Sequence, residues 1–183
     1  LLAGGVMAAE ESFEIQYKGE VTTDTCILTG NGNGLIFELQ PVLVSTLQNA
    51  SSPVNFLDKR DFAKVVCEGN MKSVTVAWDS SIPTKLSSFK DFHALIPENI
   101  GDTAEGTYIY TWFSAKAVSG AGSRLPNDST PVVLAMTSND DGYMESPIAL
   151  KAGYITAKDD KGVFETVTPG SVLASAPLVL SYQ

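Results

Sequence analysis

Apolar and polar residues alternate with a period of two along much of this chain. Phe13, Ile15, Tyr17 and Val21 are separated by polar neighbours, as are Val74, Val76 and Trp78, then Tyr108, Tyr110 and Trp112. Successive side chains of a strand point to opposite faces, so each run predicts a half-buried antiparallel strand. Segments rich in β-branched and aromatic residues add Leu35 to Leu39, Phe62 to Val66, Val132 to Met136, Ile148 to Ala157 and Leu178 to Tyr182. Nine strands, roughly, are expected from these runs.

Between them lie Gly30-Asn31-Gly32-Asn33-Gly34, Ser119-Gly120-Ala121-Gly122, Asn139-Asp140-Asp141-Gly142 and Asp159-Asp160-Lys161-Gly162. Such clusters supply the positive φ angles that tight reversals need. Helix signals are sparse. Pro41 to Leu47 carries Val42, Leu43, Val44 and Leu47, enough for one turn at most. With no repeat, low-complexity tract or linker, the pattern predicts a single all-β sandwich.

Composition narrows the possibilities. The chain has 183 residues, 44% of them apolar and 18% charged, the balance of a folded domain rather than a disordered one. Its net charge of −9 disfavours binding to nucleic acid or anionic lipid. No run reaches the length of a membrane-spanning helix. One histidine and two cysteines do not make a structural zinc site.

Leu1 to Ala9 reads as the end of a secretory signal, an apolar run followed by Val6-Met7-Ala8 as a small-residue cleavage pattern. Residues 1–8 are accordingly expected to be a signal remnant. In an exported chain the even pair Cys26 and Cys67 is expected to form a disulfide.

No constellation for catalysis is legible. His93, the only side chain suited to a neutral-pH base, sits in Asp91-Phe92-His93-Ala94-Leu95, which is no nucleophile or base motif. Asn139-Asp140-Asp141 and Asp159-Asp160 offer oxygen ligands but lack the spacing of a twelve-residue calcium loop, so turns are expected there. Asn49-Ala50-Ser51 and Asn127-Asp128-Ser129 match the N-glycan acceptor pattern, a weak three-residue signal. Trp78, Tyr108, Tyr110 and Trp112 could stack on a sugar, but their alternate spacing favours a role in filling the core. No enzymatic activity, metal or cofactor is expected.

Both ends of the chain carry a further pattern. Tyr17-Lys18-Gly19-Glu20-Val21, followed after four residues by Cys26, resembles the first strand of chaperone-usher fimbrial subunits. The spacing to Cys67 is similar to theirs. So is the C-terminal portion: Ala152-Gly153-Tyr154, Thr168-Pro169-Gly170-Ser171-Val172, and Leu178-Val179-Leu180-Ser181-Tyr182-Gln183 with its penultimate tyrosine. Asp79 to Met144 carries no motif of that family.

The resemblance implies an incomplete immunoglobulin-like β-sandwich, completed by a donor strand from a neighbouring subunit. Residues 9–18 would be the donor extension and 19–183 the pilin domain, with Phe13, Ile15 and Tyr17 facing a neighbour's groove ahead of Gly19. Leu178, Leu180 and Tyr182 would border the receiving groove, and the carboxylate of Gln183 would be gripped by a periplasmic chaperone. Cys26 and Cys67 would tie the first two strands together. The implied partners are identical or related pilin subunits, that chaperone, an outer-membrane usher and a host surface receptor. The implied location is the bacterial surface, reached through the periplasm, in a fimbria serving adhesion or biofilm formation. The family's glycine inside the donor arm is replaced here by Phe13 or its neighbours. A tip adhesin or glycan-binding minor subunit is the alternative, and a secreted β-sandwich hydrolase a remote one.

Overall fold

The computed structural model describes residues 25–30, 35–69, 71 and 73–183. The run from Phe13 to Val21, including Gly19, lies outside them. Eleven strands and one helical turn are present among the described residues: β1 (Cys26–Gly30), α1 (Val44–Leu47), β2 (Val54–Cys67), β3 (Val74–Trp78), β4 (Thr84–Leu86), β5 (His93–Leu95), β6 (Tyr108–Ala115), β7 (Ser123–Arg124), β8 (Val132–Val133), β9 (Thr137–Ser138), β10 (Met144–Ile155) and β11 (Leu178–Tyr182). The fold is all-β, as the alternation predicts.

The strands form two antiparallel sheets. The larger runs β1-β2-β10-β6-β5-β4, with β7 beside β6 and β9 beside β10; the smaller runs β11-β3-β8. They pack through a core of Val65, Val74, Val76, Trp78, Phe113, Val132, Leu134 and Ile148. The ring of Trp78, from the small sheet, meets Phe113 of the large one edge-on at 5.3 Å. Its indole N–H donates to the Arg124 carbonyl at 2.9 Å, so the polar end of the buried ring is also satisfied. Pro147 is tolerated in β10 because it falls between the stretch paired with β9 and the stretch paired with β6.

Cys26 and Cys67 face each other across the β1–β2 pair and form the expected disulfide. Asn139 and Asp159 turn the chain as expected: each Oδ1 accepts two backbone N–H groups, from Asp141 and Tyr143 in the first case and from Lys161 and Val163 in the second. The glycines closing these turns, Gly142 and Gly162, have φ of 84° and 78°.

One expectation needs correction. Leu35 to Leu39 joins no ladder among the described residues. Of the four aromatics expected to fill a core, Trp78 lies in the inter-sheet core. Tyr108, Tyr110 and Trp112 point the other way, since Ile109, Thr111 and Phe113 take the inward positions of β6. They form a second cluster on the outer face with Phe89, Phe92, Ala94 and Ile155. The β4–β5 loop folds over that face: Phe89 and Phe92 lie 5.5 and 6.1 Å from Tyr110, and Ser88 N–H donates to the Thr156 carbonyl.

Lys85 of β4 and the Tyr108 hydroxyl both bond the carboxylate of Glu165. Burial works to raise the Glu165 pKa, but these two bonds outweigh it and hold the carboxyl below its ordinary value. A lowered folded-state pKa contributes stability that is present above the unfolded value and lost as pH falls through the folded one. The stability difference between the native chain and Glu165→Gln should therefore shrink as pH falls from about 5 through and below the ordinary carboxylate range, as measured by urea unfolding at a series of acidic pH values. A difference independent of pH would show that the ionised carboxylate contributes nothing. In the same assay, replacing both cysteines by alanine should cost about 2 to 4 kcal/mol under oxidising conditions, because the unfolded chain regains the freedom of a long closed loop.

Candidate functional site: an open apolar groove

The inner face of the large sheet is wider than the small sheet that covers it. Beyond the inter-sheet core the inward positions continue as Ile109 and Thr111 on β6, paired with Tyr154 and Ala152 on β10, with Leu95 of β5 beside them. Among the described residues, no strand lies over them. They form the floor of a groove of about 760 Å³, which continues at its far end into a second hollow of about 340 Å³ through shared Leu39, Tyr154 and Val172. Burial raises the Tyr154 phenol above its ordinary pKa, as expected of a hydroxyl on an apolar floor.

One wall is the extended segment 35–40, whose Leu35, Phe37 and Leu39 line the groove. Phe37 packs against Phe62 with ring centroids 5.6 Å apart and planes tilted by 49°, and a register shift between β2 and β10 accompanies Phe62 as well as Ala63 reaching the groove. The opposite wall is the approach to β11. From Val172 to Leu180 every second residue is partly buried and the rest are exposed. Val172, Ala174, Ala176 and Leu178 therefore face the groove as a strand would, although only Leu178 onward forms a ladder.

Both walls end at open strand edges. Among the described residues, β1 terminates the large sheet and β11 the small one, each with a single neighbour. Among the described residues, no backbone N–H from Val172 to Ala176 donates to another backbone group. An unpaired edge beside an apolar floor is suited to receive an extended segment: its backbone would complete the ladder and its alternate side chains would fill the groove.

Of the residues expected to border such a groove, Leu178 lines it and Leu180 packs into the adjoining core. Tyr182 pairs with Val74 and is exposed, and Gln183 exchanges backbone bonds with Ser73. The expected donor residues Phe13, Ile15, Tyr17 and Gly19 lie outside the described residues. His93 stands apart, on β5, with Nδ1 2.9 Å from the Thr84 hydroxyl. The floor residues Ile109 and Thr111 and the wall from Leu173 to Ala176 were not singled out by sequence, whereas Ala152 and Val172 fall in the C-terminal segments that carry the resemblance; the signal available for the wall was the unbroken alternation from Val172 to Leu180, disguised by its alanines and Pro177. No protein-family model matches the chain, and no curated protein is similar to it.

An open apolar groove should bind an environment-sensitive apolar dye. Ala152→Phe, which places a ring on the floor, is expected to reduce the dye signal severalfold, whereas Val179→Ser on the exposed face of β11 should leave it unchanged. Equal loss in both folded variants would place the dye elsewhere.

Proposed function

We propose that this chain is a structural pilin subunit that polymerises by donor-strand exchange into a chaperone-usher surface fimbria used for adhesion or biofilm formation. The observation that carries the proposal is the apolar groove between the edges of β1 and β11, which are unpaired among the described residues. In this reading the sandwich is immunoglobulin-like and lacks its last strand. The residue resemblance at both ends of the chain supports it, as does the alternation of Phe13, Ile15 and Tyr17 just ahead of β1.

The energetics fit an exchange of strands. Burying side chains the size of Phe, Ile and Tyr is worth about 1.5 to 3 kcal/mol each. Pairing the open edge of β11 adds backbone hydrogen bonds that an isolated copy leaves to water. Such a copy is aggregation-prone through the same edge, and a periplasmic chaperone would protect it by lending a strand until the usher presents the next subunit. The end of β11, at Gln183, is where the chaperone would grip. The disulfide and the absence of any membrane-spanning helix among the described residues are compatible with export. No catalysis is assigned to the chain.

Surface-sheared material run in SDS without boiling should give a ladder that collapses to one band on boiling, since strand-exchanged polymers persist by slow unfolding rather than by covalent bonds. N-terminal sequencing of the released band fixes where the donor arm begins. Deleting residues 9–17 should abolish the ladder while leaving chaperone binding intact. A single band in both lanes from exported, oxidised material would overturn the polymer reading.

A further inference from the structure

The opposite face of the large sheet carries a second, chemically different feature. Outward positions on β10 and its neighbours fall in rows: Ala149 beside Ser114, then Asp58 and Trp112 flanking Lys151, then Gly153 beside Tyr110. The small side chains Ala149 and Ser114 floor a shallow cleft of about 370 Å³, and Arg60, Lys116 and Lys151 stand around it. Lys151 is paired with Asp58 at 2.9 Å. Arg60 and Lys116 are exposed, and neither makes a side-chain hydrogen bond or ion pair with another described residue. Three cations thus meet one carboxylate, on a chain whose net charge is −9.

The next rows along the same face are aromatic. Trp112 lies 5.3 Å from Phe56, whose ring rests over Gly153; a Cβ there would come within 3.0 Å of the ring. Phe56 is 38% exposed. Backbone strain converges here as well. Among the described residues, the three non-glycine residues with positive φ are Asn55, next to Phe56, and Lys90 and Asp91, in the loop that carries Phe89 and Phe92. Left-handed non-glycine conformations are costly and cluster where the surrounding structure holds a site in place.

We propose that this face recognises an acidic sugar unit, a uronic or sialic acid residue of a glycan. The carboxylate sits between Arg60 and Lys116, and the apolar face of the ring lies against Phe56 and the part of Trp112 left open by Lys151, whose ammonium stands 5.4 Å from that ring's centroid. Charge and size select this occupant. Unpaired cations on an otherwise acidic chain favour a ligand with one local negative charge over a densely charged polyanion, which the net charge repels. The exposed aromatic area is that of one or two rings, far below the roughly 800 Å² per partner of a stable protein interface, and the cleft is at the small end of ligand sites. The C–H face of a pyranose suits the negative face of an aromatic ring, and its hydroxyls suit the donors and acceptors of Lys151 and Asp58. The site goes beyond the polymer reading and does not depend on it, because the groove and this face lie on opposite sides of one sheet.

The test titrates the full chain with 3′-sialyllactose, a glucuronate-containing tetrasaccharide, lactose and sodium sulfate, following tryptophan emission and the Trp112 indole resonance. At least one acidic sugar should bind with a Kd below about 1 mM, more weakly as salt rises, and lactose at least roughly tenfold more weakly. The sialylated and glucuronate arms distinguish a host glycan from a matrix polysaccharide. Arg60→Gln with Lys116→Gln should lose roughly tenfold in affinity with an unchanged unfolding midpoint, and Phe56→Ala should weaken the sugar but not sulfate. Equal binding of lactose, sulfate binding as tightly as the sugars, no acidic sugar bound at millimolar concentration, or an unaffected double variant would each overturn the proposal.

Discussion

The central strands of the large sheet are apolar on both faces, and the rest of the fold depends on how each face is covered. On β10 the inward positions hold Ile148, Leu150, Ala152 and Tyr154, while Ile155 and the bare backbone of Gly153 face outward; on β6, Ile109 and Phe113 face in and Tyr108, Tyr110 and Trp112 face out. A sheet with one wet face needs a single cover. This one needs two, and each cover is partial. Inside, β3, β8 and β11 reach across only the end held by the disulfide. Outside, the β4–β5 loop lays Phe89 and Phe92 over Tyr110 and stops short of Trp112 and Phe56. What remains uncovered is apolar on the inner side, and mixed aromatic and basic on the outer.

The two uncovered regions differ in the partner they can take. A long groove with an unpaired backbone edge rewards an extended chain, because only a strand satisfies both the hydrogen-bonding edge and the alternate pockets. The outer face offers no edge. Its strands are paired on both sides, so recognition there must pass through side chains, and the side chains present are aromatic or charged.

Much of this was legible in the sequence, for reasons that also explain what was not. Long strands announced themselves by their period, as Val74 to Trp78 and Tyr108 to Trp112 do. β4, β5, β7 and β9 are two or three residues long and carry no period to detect. Alternation also leaves open which face is the core: Tyr108, Tyr110 and Trp112 are larger than Ile109, Thr111 and Phe113, yet the smaller set faces inward, where Phe113 meets Trp78 of the small sheet and Ile109 and Thr111 floor the groove. Leu35 to Leu39 looked like a strand because it has the side-chain pattern of one. What it lacks is a neighbour among the described strands, and a missing neighbour leaves no mark in the sequence of the segment that lacks it.

A cavity can also be an accident of loose packing, in which case its walls would be expected to close over the floor. Here the walls are tied by bonds that lead away from the groove. Leu173 and Pro177 accept from the backbone N–H groups of Glu98 and Asp79 at 2.7 and 3.0 Å, and Ser175 bonds the Glu98 carboxylate. On the other side the Asn55 side chain donates to the carbonyls of Gln40 and Pro41, and Lys59 lies over the ring of Phe37. Closing the groove would break these contacts, while the small side chains of Ala63, Thr111 and Ala152 leave its floor too low to meet the walls. An occupant therefore enters a space already shaped for it and avoids the ordering cost that a collapsible site would impose, which is the condition under which a short segment can bind tightly.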